Sequence, residues 1–248
     1  MAGPARLSIL EILMSPIAFL ASELTARQTA NGPLIVGLTG AVAVGKSTLA
    51  KQLQAVIAAQ AVVEIIATDG FLRSNAELTA LGLLEQKGFP PTYDNDRFRK
   101  ALAEIRTGPT VFPAYSHTTY DIEPSLARTL APPDILIVEG LNLHHRALAL
   151  EDPDPLDVLI YLDAKEADLE SWYVARFMGL WEAAEQDQTS FYARFRSMTR
   201  EQTEELARMV WTEVNLKNLR ENTILARDSA DLVVRKAADH TIVEVVKR

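Results

Sequence analysis

A lysine, a serine and a threonine close a glycine-bounded loop at Gly40-Ala41-Val42-Ala43-Val44-Gly45-Lys46-Ser47-Thr48. The apolar run Leu34-Ile35-Val36-Gly37-Leu38-Thr39 comes directly before it. Strand, glycine loop and helix start in that order form a phosphate-binding P-loop, because the motif sits in the context it needs. Gly40 and Gly45 permit positive φ, so successive backbone N–H groups can point into one concavity. The helix N-terminus adds partial positive charge where a nucleotide β-phosphate would lie. Lys46 then reaches the β- and γ-phosphates, and the Ser47 hydroxyl ligates Mg2+. Gly40, Val42, Val44, Gly45, Lys46, Ser47 and Thr48 are the expected nucleotide contacts. A plain surface turn would not need Lys-Ser at those positions.

Other side chains supply what such a loop requires. Asp69 stands in Thr68-Asp69-Gly70-Phe71 at the end of an apolar run. A carboxylate there accepts or orients the proton of an attacking hydroxyl; the alternative is a turn-former before Gly70. Glu139 follows four apolar residues. It resembles the acidic end of a Walker B strand, a ligand to Mg2+ or its waters, with a salt-bridge carboxylate as the other reading. Leu169, Tyr173, Arg176 and Leu180 share one helical face by spacing, which puts Arg176 in an apolar slot. Either its stem snorkels along a surface helix, or its guanidinium enters a cleft and stabilises a transferring phosphoryl group. Tyr115-Ser116-His117-Thr118-Thr119-Tyr120-Asp121 gathers rings with polar tips. Such a segment suits either a pocket for a small, partly apolar ligand or an exposed loop. His144-His145 reads as a solvated loop rather than a metal site, since no further cluster has ligand spacing.

These residues must be positioned by an α/β fold. Strand and helix signals alternate from residue 33 onward, the pattern of a P-loop NTPase-type parallel sheet flanked by helices on both faces. Apolar runs predict strands over 62–68, 134–139, 158–163 and 232–234, and periodicity predicts helices over 46–59, 94–107, 165–181 and 200–214. Asp69, Glu139 and Asp163 end their strands, and ligands of such sheets bind beyond the carboxyl ends. The chain reads as a single P-loop kinase domain over 1–248, with 1–32 as a helical segment packed on it. Glu11 and Pro16 interrupt the apolar stretch 7–20, which is too short to span a bilayer, so it reads as an amphipathic helix rather than a targeting segment.

Composition narrows the partners. A net charge of −8 argues against a nucleic-acid footprint, and nothing is long enough to be a membrane span. The absence of cysteine removes disulfides, a thiolate nucleophile and Cys-based zinc sites, and fits a cytoplasmic protein. The guanine-reading Asn/Thr-Lys-x-Asp pattern and the Ser-Gly-Gly-Gln signature of transport ATPases are both missing. What remains is a phosphoryl transferase with a small-molecule acceptor.

The ordered blocks extend further: Lys87-Gly88-Phe89-Pro90, Pro133-Asp134-Ile135-Leu136-Ile137-Val138-Glu139-Gly140-Leu141-Asn142, Trp172-Tyr173, Arg176-Phe177, Asn218-Leu219-Arg220-Glu221-Asn222 and Arg235-Lys236-Ala237-Ala238-Asp239-His240. With the P-loop, Thr68-Asp69-Gly70-Phe71, Tyr115-Ser116-His117 and Tyr120-Asp121, the chain resembles the bacterial type I pantothenate kinases of the phosphoribulokinase/uridine kinase group. The resemblance implies ATP and Mg2+ as cofactors, pantothenate as acceptor and a homodimer inhibited by coenzyme A. It implies Asp69, Lys46 and Arg176 as catalytic residues, with Ser47 and Glu139 at the metal. Tyr115, His117, Tyr120, Tyr173, Phe177 and Asn215 would line the pantothenate site, and Lys236 and His240 would lie near the adenine. Lys51, Leu180, Glu185 and Asp187-Gln188-Thr189-Ser190-Phe191 depart from the usual pattern, and these departures cluster at the acceptor tail and inhibitor pocket. Another small hydroxyl-bearing acceptor (a sugar acid, polyol or nucleoside) and a catalytically silent nucleotide-binding regulator stand as alternative readings.

Overall fold

The computed structural model describes residues 14–29, 32–144 and 155–248. The first part of the apolar stretch 7–20, and His145, lie outside the described residues. The chain forms helix α1 (Pro16–Ala26), strand β1 (Leu34–Gly40), helix α2 (Lys46–Ile57), strand β2 (Val63–Ala67) and a 3-10 turn (Thr68–Phe71). Helices α3 (Asn75–Ala80) and α4 (Asn95–Ile105) follow, then short strands β3 (Thr110–Phe112), β4 (Tyr115–Ser116), β5 (Asp121–Ile122) and β6 (Arg128–Leu130). Strands β7 (Ile135–Gly140) and β8 (Val158–Asp163) lead into helices α5 (Glu166–Ala183) and α6 (Arg200–Val210). A π-helical segment (Trp211–Leu216), helix α7 (Lys217–Glu221) and strands β9 (Leu232–Lys236) and β10 (Ile242–Lys247) complete it.

Continuous apolar runs build the main sheet, ordered β10-β9-β8-β1-β7-β2. Successive side chains of a strand point to opposite faces, so one run of branched residues can feed two cores. Leu34, Val36 and Leu38 of β1 pack with Leu49, Leu53 and Ile57 of α2, and with Phe19, Leu20 and Leu24 of α1. Ile35, with Leu136, Val138 and Tyr161, faces Phe98, Leu102 and Ile105 of α4 on the other side. Helices thus cover both faces of a sheet whose strands are parallel except at the edge, where β10 runs antiparallel to β9. That edge strand escapes periodicity because its burial is irregular and its ladder is shifted between Ile242 and Glu244.

Helix boundaries also moved. The stretch 200–214 is α-helical only to Val210 and then widens into the π segment carrying Asn215. Such a bulge re-aims side chains without ending the helix. A capping box starts this helix: the Thr199 side chain accepts from the Gln202 N–H, and the Gln202 side chain accepts from the Thr199 N–H.

What positions the site is close approach at the carboxyl edge. The 3-10 turn bearing Asp69 presses on the end of β7 so tightly that a Cβ at Gly140 would stand 2.1 Å from Thr68 Oγ1. On its other side a Cβ at Gly70 would stand 2.2 Å from the Pro113 carbonyl, so the chain entering β4 lies against the same turn. Residue size therefore sets the spacing of Asp69, Glu139 and the Tyr115 hairpin. Gly140→Ala is expected to destabilise the fold by about 1–3 kcal/mol through overpacking, read as a fall in urea midpoint; an unchanged midpoint would contradict this close packing.

Candidate active site

β1 delivers the loop to the middle of the sheet, between β7 and β8. Gly40, Ala43 and Gly45 adopt φ of 142°, 63° and 94°, which curls the loop around the start of α2. The Lys46 ammonium donates to the Gly40 and Ala41 carbonyls at 3.0 and 2.8 Å. Burial pulls its pKa down to about 8, with Glu139 and Asp69 opposing the fall and Arg176 adding to it. Ser47 Oγ donates to Glu139 Oε2 at 2.8 Å, so a hydroxyl and a carboxylate meet where β7 ends beside the loop. Burial raises the Glu139 pKa, while that hydrogen bond and Lys46 lower it.

A cleft of about 810 Å³ is lined by the loop, Asp69, His117, Glu139 and Arg176, and by Trp172, Lys236 and His240. Arg176 therefore faces the cleft from α5, within electrostatic reach of Lys46, Glu139 and His117. His117 is pushed below its ordinary pKa by burial, against the pull of Asp69, and Arg176 reinforces this, so the imidazole is neutral near pH 7. The Tyr93 hydroxyl lies 3.5 Å from Asp69 Oδ1. Its ring is buried, and burial followed by the Asp69 charge keeps the phenol protonated far above its usual range. Asp163 instead pairs with Arg227 at 3.0 Å and does not line this cleft.

Beside Asp69 an aromatic cluster is built from three elements. The β4–β5 hairpin supplies Tyr115, His117 and Tyr120, with Tyr115 edge-on to both other rings. Tyr120 adopts φ of 57°, a strained value for a bulky residue. Its carbonyl accepts from Asn75 Nδ2 at 2.9 Å and Lys87 Nζ at 2.7 Å, and its ring stacks on Phe191 at 4.2 Å. Helix α5 adds Tyr173 and Phe177, the latter edge-on to Tyr192 at 5.2 Å. From the π segment, Asn215 donates its Nδ2 to the Val210 carbonyl at 3.2 Å and lies near enough to the Tyr173 hydroxyl to offset part of its pKa rise. Burial raises the Tyr120 phenol to about 12, and lifts Tyr115 and Tyr173 further, so all three donate as neutral hydroxyls.

Lys87 enters this apolar wall with its ammonium 4.8 and 4.7 Å from the Tyr115 and Tyr120 ring centres. Burial lowers its pKa, and Asp121 and then Asp69 hold it up. Lysine over aromatic faces keeps its charge through the ring quadrupoles. Elsewhere in the main cleft, Trp172 stacks on His240 at 4.0 Å and donates its indole N–H to the Ala238 carbonyl. Lys236 Nζ donates to the Val44 carbonyl at 2.9 Å, gripping the P-loop itself.

Lys46, Ser47, Asp69, Glu139, Arg176, Lys236 and His240 thus line one cleft at the end of the sheet, with Tyr115, His117 and Tyr120 beside Asp69 and Tyr173, Phe177 and Asn215 farther along the ring cluster. Lys87, Tyr93, Trp172, Phe191 and Tyr192 were not singled out as site residues. The family blocks around Lys87 and Trp172 and the departing stretch ending at Phe191 marked three of them, since a lone lysine before glycine has no local signature. Glu185, a departure that suggested an altered acceptor, is 66% exposed and pairs with Arg196 at 3.3 Å. His144 is buried rather than solvated. Among the described residues no cluster of three or more His, Cys, Asp or Glu could hold a metal.

Comparison with known proteins agrees with this geometry. A model of the phosphoribulokinase/uridine kinase family matches residues 35–176. The pantothenate kinase of Parvibaculum lavamentivorans is 39% identical over 239 residues, covering 92% of this chain and 73% of that protein. The pantothenate kinase of Rhizobium rhizogenes is 42% identical over 237 residues, covering 91% and 72%. Among solved structures, D-glycerate 3-kinase of Cryptococcus neoformans var. grubii has a TM-score of 0.62 at 14% identity, over 94% of this chain and 96% of that one, a likeness of fold.

The Lys46 environment makes stability depend on pH. The folded chain releases that proton near pH 8 and an ordinary lysine near 10.5, so between these values the unfolded state binds more protons and stability rises with pH. Relative to Lys46→Met, the wild type should gain urea stability between about pH 7 and about pH 10. A difference that does not change with pH would show that the amine is not desolvated.

Proposed function

The chain belongs to the phosphoribulokinase/uridine kinase family and to the bacterial type I pantothenate kinases within it, and from that premise we propose that its cleft transfers the γ-phosphoryl group of ATP to the terminal hydroxyl of pantothenate, with Asp69, Lys46 and Arg176 acting on the reacting atoms. The enzyme is an ATP-dependent small-molecule kinase, and its product is 4′-phosphopantothenate. One observation carries the assignment of roles: a carboxylate, a P-loop lysine and an arginine of α5 line one cleft that adjoins an aromatic cluster holding a lysine.

The P-loop amides, with Gly40, Val42, Val44, Gly45 and Thr48 shaping the concavity, receive the β-phosphate. Asp69 accepts the proton of the pantothenate hydroxyl as its oxygen bonds to the γ-phosphorus. The bond from that phosphorus to the β–γ bridging oxygen breaks, and ADP leaves with the negative charge. Lys46 and Arg176 balance charge on the equatorial oxygens, where fixed cations stabilise the transition state without solvent reorganisation. The Tyr93 hydroxyl and the neutral His117 imidazole border Asp69 without a competing charge.

Ser47 Oγ and Glu139 Oε2 are hard oxygen donors already adjacent, which fits Mg2+ completed by phosphate oxygens and water. When bound, Mg2+ supplies charge neutralisation at the phosphates. Pantothenate carries a carboxylate at the end away from its reacting hydroxyl, and Lys87 is the cation in the aromatic cluster suited to meet it. Phe177 faces the apolar part of the acceptor, and Tyr115, Tyr120, Tyr173 and Asn215 offer hydroxyl and amide partners. Trp172, His240 and Lys236 form the base-side wall for ATP. A cytoplasmic homodimer completes the proposal: it is supported by the family resemblance, and no helix among the described residues is long and apolar enough to cross a membrane.

Coupled ADP release with mass detection of the product tests these roles. Asp69→Asn should lower kcat by about 10³-fold with ATP affinity retained, the scale of a lost general base; near-wild-type turnover would remove Asp69 from the mechanism. Lys87→Met should raise the pantothenate KM about 10-fold or more with the ATP KM unchanged, the scale of one charge-assisted hydrogen bond. An equal rise in both KM values would detach Lys87 from the acceptor.

A further inference from the structure

Two sequence blocks, Gly140-Leu141-Asn142 and Asn218-Leu219-Arg220-Glu221-Asn222, supply no reacting group, yet their amide side chains converge on one backbone atom. Asn142 Nδ2 donates to the Gly88 carbonyl at 2.8 Å, and Asn218 Nδ2 donates to the same oxygen at 2.9 Å. A carbonyl oxygen has two lone pairs, so both are filled. Each amide is itself held: Asn142 Oδ1 accepts from Thr223 Oγ1 at 2.8 Å, and Asn218 Oδ1 accepts from Asn222 Nδ2 at 3.0 Å. The Gly88 N–H donates to Thr92 Oγ1 at 3.1 Å, and that hydroxyl donates to the Phe89 carbonyl at 2.7 Å. Asn142, Asn218, Thr223 and Thr92 are all buried, at 5% exposure or less.

A network this dry is geometrically demanding, because any member left unpaired bears its full desolvation cost. Its three arms belong to three parts of the site. Gly88 directly follows Lys87, Asn218 lies one helical turn after Asn215, and Asn142 lies three residues after Glu139. A packing role alone would be met more simply by apolar side chains of similar size. We infer that the Gly88 carbonyl is a clamp point, and that Asn142 and Asn218 are positioning residues which hold the Lys87 ammonium in register with Asn215 and Glu139 for capture of the acceptor carboxylate. The inference rests on the reading of the aromatic cluster as the acceptor site.

The test is steady-state kinetics of the full chain with Mg-ATP and pantothenate, for Asn218→Leu, Lys87→Met and the double variant. Asn218→Leu keeps the branching at Cγ and removes both amide ends. It should raise the pantothenate KM about 10-fold and leave the ATP KM within about two-fold, and in the Lys87→Met background its added effect should fall below about two-fold, the signature of coupled residues. Thr223→Val, which removes only the hydroxyl orienting Asn142, should act in the same direction and keeps the question open to measurement if Asn218→Leu does not fold. A lower melting temperature with unchanged pantothenate KM, or an Asn218 effect of equal size in both backgrounds, overturns the clamp. If Lys87→Met alone leaves the pantothenate KM unchanged, the acceptor reading itself fails and the clamp falls with it.

Discussion

Charge drawn out of water at the carboxyl edge of the sheet has to be compensated on the spot, and backbone geometry supplies much of that compensation. Lys46 sits against two P-loop carbonyls, and its lowered pKa shows how much solvent it has given up. Glu139 is raised by burial and recovered by a hydroxyl and an ammonium. Neither group would be tolerable alone, since an unpaired buried charge neutralises itself or unfolds its surroundings. The cluster therefore exists only while β1, β7 and the 3-10 turn end within contact of one another.

The acceptor side obeys a different rule. Its rings come from the β4–β5 hairpin, α5 and the segment after it, and they leave Lys87 half-buried. Its ammonium lies over two of these rings and donates to Asn75 Oδ1 and the Tyr120 carbonyl. The strained Tyr120 backbone is the local cost of closing the hairpin over that lysine, and the bonds from Asn75 and Lys87 to its carbonyl hold it there. One side is thus packed from rings against rings, the other from backbone carbonyls and paired charges.

Much of this was legible in one dimension. The P-loop, Asp69 and Glu139 are local signals, each fixed by a strand end and the residues just beyond it, so their chemistry follows from spacing. Arg176 was read as an exception to an apolar stripe, but the buried stripe of α5 is Leu169, Val174, Phe177, Met178 and Trp181, and Arg176 lines the cleft from the exposed side next to it. Asp163 ended a strand in the same way but was diverted to Arg227, because strand ends share a rim without sharing partners.

Fold class and the phosphate-binding chemistry were determined by the sequence itself: continuous apolar runs, which suit strands buried on both faces, and a glycine loop depend on neighbours a few residues apart. Only the tertiary structure decided that Lys87 belongs with Tyr115 and Tyr120, that Phe191 stacks on Tyr120, and that Asn142 and Asn218 meet at Gly88. These partners lie up to 130 residues apart, as in the Asn218–Gly88 bond. No local periodicity encodes such a meeting. It is set by how the layers pack, with buried polar groups finding partners wherever the folded chain brings them.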